Sequence, residues 1–239
     1  MVNIKIIAFD ADDTLWVNEP IFTKTQEACK SLLKKYIDPA VLEEKLYSTE
    51  VKNLKLFGYG VKGFTLSMIE TAIELSEGKI TGQEIQSIIA LAKEMVQHPV
   101  ELLPNIKSTL EQLQDQYELM IITKGDLFDQ ESKIARSGIA DYFNRIEIVS
   151  EKDEQTYQDL FRRHNIELHH FLMLGNSLKS DVLPIIKLGG QAIHIPFHTT
   201  WVHETVPQNT QEALDYVTLK DVSLLPQYLD KLQSNNNIV

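Results

Sequence analysis

A single cysteine among 239 residues excludes an internal disulfide framework, and Cys29 reads as a small apolar helix residue in a reducing compartment. Long hydrophobic runs are missing too: no stretch approaches the roughly 20 apolar residues that span a bilayer, so no membrane partner is expected. No basic segment leading into an apolar one precedes the first strand pattern, and the expected location is cytoplasmic. Positive charge is scarce, with 23 Lys and Arg against 34 Asp and Glu and a net charge of −11. Without a basic stripe, a nucleic-acid polymer is excluded as a partner. A small anionic substrate stays open, provided a metal or a few lysines set the local field. No internal repeat is present.

What is present is an ordinary core-forming composition, 43% apolar and 24% charged. Short apolar or β-branched runs at residues 4–9, 118–123, 145–149, 171–174 and 191–195 end in polar or glycine-containing turns, with a weaker run at 216–219. Helical patterns separate most of them, such as Ile106, Leu110 and Leu113, or Val182, Ile185, Ile186 and Leu188. This alternation predicts an α/β fold, a Rossmann-like parallel sheet with helices on both faces. Residues 18–97 interrupt it. Their apolar positions recur at helical spacing, and Thr81-Gly82-Gln83-Glu84 is a capping box. About four helices are therefore inserted after the first strand, giving a core of 1–17 and 98–239 and a helical domain of 18–97.

The chemistry begins at IIAFDADDTLW, residues 6–16, where Asp10, Asp12 and Asp13 follow an apolar run. Ligands of a parallel sheet bind beyond the carboxyl ends of its strands, where Asp10 and Asp12 stand. Carboxylates this close need positive charge beside them, and Mg²⁺ takes such hard oxygen ligands together with phosphate. An Asp-x-Asp pair alone reads more readily as a solvated Asx turn. Three further polar signals at later strand ends favour the site: Thr123-Lys124-Gly125-Asp126, Lys152, and Gly175-Asn176-Ser177-Leu178-Lys179-Ser180-Asp181.

These four stretches, in this order, resemble the signature motifs of the haloacid dehalogenase-like hydrolase superfamily, and the helical insert sits where that family carries its cap domain. The resemblance implies Asp10 as nucleophile forming an aspartyl-phosphate, and Asp12 as general acid–base. It implies Thr123 and Lys152 as stabilisers of the transferring phosphoryl group. Mg²⁺ would be held by Asp10, Asp181 and the backbone carbonyl of Asp12. Thr14 would buttress the loop, Asp13 would stand aside, and Asn176 and Ser177 would support the metal site. The sequence departs from the family pattern twice. Lys152 is followed by Asp153-Glu154-Gln155 without the usual proline, which leaves Lys124 as its competitor, and Asn176 stands where many relatives carry aspartate. The dehalogenases of the superfamily lack an aspartate two positions past the nucleophile, so Asp12 points to phosphate monoesters.

Lys124 and Gly125 are expected substrate contacts. So are Tyr59 and Lys62, in the glycine-rich turn 56–63 between the second and third inserted helices. The family resemblance implies a cap that opens and closes, with hinges near residues 17–19 and 100–104. His198, His203 and Glu204 pose a transition-metal site against a plain polar loop. The overall expectation is a Mg²⁺-dependent phosphatase acting on a small phosphorylated metabolite, as monomer or homodimer. A phosphomutase or phosphotransferase of the same superfamily, and an aspartate-phosphorylated signalling module, are the competing readings. A simple receiver would be about half this length and lack the helical insert.

Overall fold

The computed structural model describes residues 3–207 and 216–236. The chain divides into two compact units, one of residues 1–17, 100–124 and 133–239, the other of residues 18–99 and 125–132.

The first unit is built on a six-stranded parallel sheet, order β3-β2-β1-β4-β5-β6. The strands are β1 (Ile6–Phe9), β2 (Glu118–Lys124), β3 (Arg145–Val149), β4 (Phe171–Gly175), β5 (Gln191–His194) and the short β6 (Val217–Thr218). In β1, Ile-Ile-Ala-Phe has no polar face, which suits a central strand covered on both sides. Its alternate residues go to opposite layers. Ile7 and Phe9 pack with Leu119, Ile121, Leu172 and Leu174 against Ile106 and Leu110 of helix Ile106–Leu113 and Leu225 and Leu229 of helix Leu225–Asn236. Ile6 and Ala8 face the other way, with Met120, Ile122 and Met173, onto Tyr157, Leu160 and Phe161 of helix Glu154–His164 and Ile185 of helix Leu183–Lys187. Strand order reverses at β1, where the chain builds outward to β3 and then returns to the other side at β4. That reversal opens the crevice where such sheets bind ligands.

The second unit contains α1 (Glu19–Leu33), α2 (Pro39–Phe57), α3 (Val61–Leu75) and α4 (Gly82–Gln97), the four helices that spacing predicts. Cys29, Leu33, Leu42, Leu46, Phe64, Met68, Ala72, Ile88 and Met95 form its core. Burial pushes the Cys29 thiol up to about 11, consistent with a packing role. The capping box is formed: Thr81 Oγ1 accepts from Glu84 N–H at 3.3 Å, and the Glu84 carboxylate accepts from Thr81 N–H at 2.8 Å. Gly78, at φ 75°, ends α3 by donating its N–H to Ile73 O. Compared with the expected 18–97 segment, this unit also takes in His98, Pro99 and Gly125–Ser132. His98 caps α4, and Asp126 is tied to α3 through Lys62.

Candidate active site

Asp10 continues β1 by donating its N–H to Leu174 O on β4 at 2.8 Å, so its side chain emerges at the switch point. The chain then turns sharply. Ala11 O accepts from Leu15 N–H at 2.8 Å, and Asp13 takes the left-handed conformation at φ 62°, which aspartate tolerates better than most residues. Asp13 is thus the pivot of the turn.

Two buried carboxylates and one buried ammonium meet above β1. Lys152 Nζ donates to Asp10 Oδ1 at 2.5 Å and to Asp181 Oδ1 at 2.8 Å. Thr14 Oγ1 donates to Asp10 Oδ2 at 2.9 Å and accepts from Asn176 N–H at 3.0 Å, locking the first turn to the loop after β4. Ser177 N–H donates to Asp181 Oδ2 at 3.0 Å. Burial, opposed by Lys152 and reinforced by Asp181, pushes the Asp10 carboxyl up to about 7. Burial would lower Lys152, but Asp10 and Asp181 hold it above the usual lysine range. The Thr123 hydroxyl, one residue before the end of β2, is buried and meets no hydrogen-bond partner among the described residues. A buried hydroxyl without a partner costs stability, so this one is poised for something that arrives.

Asp12 is held differently. Both of its carboxylate oxygens accept from Lys133 Nζ, at 2.7 and 2.8 Å, and Oδ1 also accepts from Trp16 Nε1 at 2.7 Å. Lys133 was not legible in the sequence, because no local pattern around it marks a site.

Lys124 belongs to a neighbouring network. Its Nζ donates to Glu204 Oε1 at 2.6 Å and to Ser180 Oγ at 2.9 Å, with Glu151 at 3.3 Å. Glu204 also accepts from Ser177 Oγ and Ser180 Oγ, at 2.5 and 2.6 Å. Burial would raise Glu204, but Lys124 and the two hydroxyls outweigh it and bring the carboxyl down to about 2. Together these groups clamp the π-helical turn Leu178–Val182 that carries Asp181. Gly175 lets that turn close: a Cβ there would lie 2.1 Å from Asp181 Oδ2.

Of the sequence candidates, Asp10, Asp181 and Lys152 are brought into direct contact, and Lys152, not Lys124, reaches Asp10. Gly125, Tyr59 and Lys62 belong to the second unit. There Lys62 Nζ donates to both oxygens of Asp126, at 2.9 and 3.0 Å, and lies 5.5 Å from the Phe128 ring centroid. His198, His203 and Glu204 form no ligand cluster. Glu204 is turned onto Lys124, while His198 lies against Phe197 and His203 against Trp201. A polar loop whose glutamate folds inward accounts for that patch.

The donor set suits a hard divalent ion. Asp10 and Asp181 bring two negative charges against the one positive charge of Lys152, and burial pushes Asp10 toward neutrality despite that lysine. Mg²⁺ would answer the excess negative charge with oxygen ligands and bring phosphate as a further one.

Comparison with known proteins follows the same lines. A haloacid dehalogenase-like hydrolase family model matches residues 4–189. A haloacid dehalogenase-like family hydrolase from Xanthomonas campestris is 39% identical, with 97% of this chain and 93% of that one covered and a TM-score of 0.85. The fold recurs at lower identity in a 2-haloacid dehalogenase from Pseudomonas syringae pv. tomato DC3000 (20% identical, 96% and 99% covered, TM-score 0.62). It recurs also in a phosphatase from Thermococcus onnurineus (19% identical, 95% and 98% covered, TM-score 0.61). No curated protein matches the chain.

Proposed function

We propose, from the premise that this chain belongs to the haloacid dehalogenase-like hydrolase family, that it is a Mg²⁺-dependent phosphomonoesterase acting on a small phosphorylated compound. Membership makes it a hydrolytic enzyme of α/β fold; the choice of phosphate ester over alkyl halide rests on one observation. A carboxylate stands at position 12, two residues past the candidate nucleophile, fixed through both oxygens by Lys133. An alkoxide leaving from phosphorus needs a proton, whereas a departing halide does not. A carboxyl at this position, as the donor of that proton, would serve only the first reaction.

In the proposed reaction the Asp10 carboxylate attacks phosphorus and forms an acyl phosphate as the bond from phosphorus to the ester oxygen breaks. Asp12, as the acid, delivers its proton to the departing oxygen. The Asp12 carboxylate then takes a proton from water, whose oxygen attacks the same phosphorus, releasing inorganic phosphate and restoring Asp10. Lys152 and the Thr123 hydroxyl donate to the phosphoryl oxygens during both transfers. Lys152 also favours the ionised form of Asp10, the form that attacks. Thr14 restricts the rotation of Asp10 by holding its second oxygen. Asp10, Asp181 and the Asp12 backbone carbonyl would hold Mg²⁺. When bound, the ion shields the approach of one anion to another and neutralises phosphoryl charge.

Turnover in ¹⁸O-water tests the assignment. One labelled oxygen per released phosphate is expected; transfer of the phosphoryl group to a second hydroxyl, without label, would replace hydrolysis by a mutase reaction.

A further inference from the structure

At the other end of β4, where the strand begins, a second group of side chains converges. The chain enters β4 through the one-turn segment Leu168–His170, and Glu167 stands just before it. The Nε2 atoms of His169 and His170 lie 3.3 and 3.6 Å from one carboxylate oxygen, Glu167 Oε2. All three donor atoms lie within 4.8 Å of one another.

An ordinary imidazolium–carboxylate contact is shorter, about 2.7–2.9 Å. The observed spacing matches another arrangement. Two ligands on arms of about 2.1 Å around a tetrahedral ion stand about 3.4 Å apart. The tautomer of His170 points the same way. Its Nδ1 lies 2.6 Å from the Asn3 backbone carbonyl, which can only accept, so Nδ1 carries the proton. In the neutral ring Nε2 then carries a lone pair 3.6 Å from Glu167 Oε2, and a cation between two such acceptors would satisfy both. A ring nitrogen donating to a backbone carbonyl while the other keeps its lone pair for a ligand bond is how metal-bound histidines are oriented. The two rings lie with centroids 4.0 Å apart.

We propose that Glu167, His169 and His170 form a binding site for a transition-metal ion of the zinc class, with three protein ligands and one position open to water. Two imidazoles and one carboxylate select Zn²⁺, Co²⁺ or Ni²⁺ over Mg²⁺, which prefers oxygen alone. The site lies at the opposite end of β4 from Asp181 and uses none of the catalytic candidates. It would act on stability: His170 accepts from Lys5 N–H through its carbonyl at 2.9 Å and holds Asn3 through its ring, so the ion would fasten the segment entering β1 to the start of β4.

The test is Zn²⁺ titration of the full chain by calorimetry, with saturating Mg²⁺ present. Wild type should bind one Zn²⁺ and melt at a higher temperature with it. His169→Gln and Glu167→Gln change residues whose side chains are 64% and 67% exposed, so both should fold and melt like wild type without zinc. Each should weaken Zn²⁺ binding by at least about tenfold. His203→Gln, outside the group, should bind as wild type does. With Co²⁺ in place of Zn²⁺, wild type should give the intense visible bands of a low-coordinate ion, and His169→Gln should lose them. Absence of stoichiometric binding by wild type, or equal affinity in the His169 and Glu167 variants, would overturn the site and leave ordinary His–Glu pairing. Neither result bears on phosphatase activity, which depends on other residues.

Discussion

Glu204 and Lys124, eighty positions apart, form a partly buried ion pair of 2.6 Å that fastens the end of β2 to the loop after β5. Because Glu204 also accepts from Ser177 and Ser180, the pair fixes the turn that presents Asp181. Glu204→Gln should cost about 1–3 kcal/mol, the scale for lost hydrogen bonds to a charged group. The pH dependence has a definite sign. With its carboxyl lowered to about 2 from the ordinary 4.5, Glu204 contributes stability that is full above about pH 4.5 and lost as pH falls toward 2. Acid denaturation followed by circular dichroism should therefore be less steep in this window for Glu204→Gln than for wild type. Equal slopes would contradict the assignment.

Thr123 exposes a conflict between stability and activity. Its hydroxyl is buried without a partner among the described residues, an arrangement that costs about 1–3 kcal/mol. Thr123→Val keeps the shape and removes the hydroxyl. It should melt no lower than wild type while losing about 10²–10³-fold in kcat. A variant that melts lower with full activity would show the hydroxyl to be structural.

Asp10, raised to about 7 by burial, predicts a coupling between pH and Mg²⁺. An acid whose folded pKa lies above its unfolded value binds more protons in the folded state. The metal-free protein should thus lose stability as pH rises from about 4 to 7. Mg²⁺ competes with that proton, so the rise in Tm on adding Mg²⁺ should be larger at pH 8 than at pH 5. A rise independent of pH would contradict the role of Asp10.

Gly175→Ala tests the close approach behind Asp181. The added carbon would sit 2.1 Å from Oδ2, so the carboxylate has to move. Mg²⁺ affinity should fall by about 10–100-fold, the range for a displaced metal-site support. Gly82→Ala, where the added carbon meets nothing within 4 Å, is the matched control and should leave affinity unchanged.

The fold was largely legible because its signals are local. A strand such as Ile6–Phe9 and a cap such as Thr81–Glu84 are written in consecutive residues, and the order of polar strand ends carries the topology. What escaped the sequence depends on distance. Lys133 reaches Asp12 across 121 positions, and nothing near it marks it as different from any helix lysine. Lys124 and Lys152 are alike in sequence, each near the carboxyl end of a strand; they are separated by what surrounds them, Glu204 in one case and Asp10 with Asp181 in the other. The histidines at 198 and 203 stand near a glutamate in sequence, yet the geometry gathers Glu167, His169 and His170. Spacing alone cannot say which donor atoms come within reach of one another.

The most direct test compares wild type with Asp10→Asn in hydrolysis of an aryl phosphate, with Mg²⁺ and with chelator. The account predicts metal-dependent release of phosphate by wild type and loss of it in a variant that still folds, since the amide retains the shape but cannot attack phosphorus. Wild-type rates retained by folded Asp10→Asn, or release that chelator leaves untouched, would contradict it.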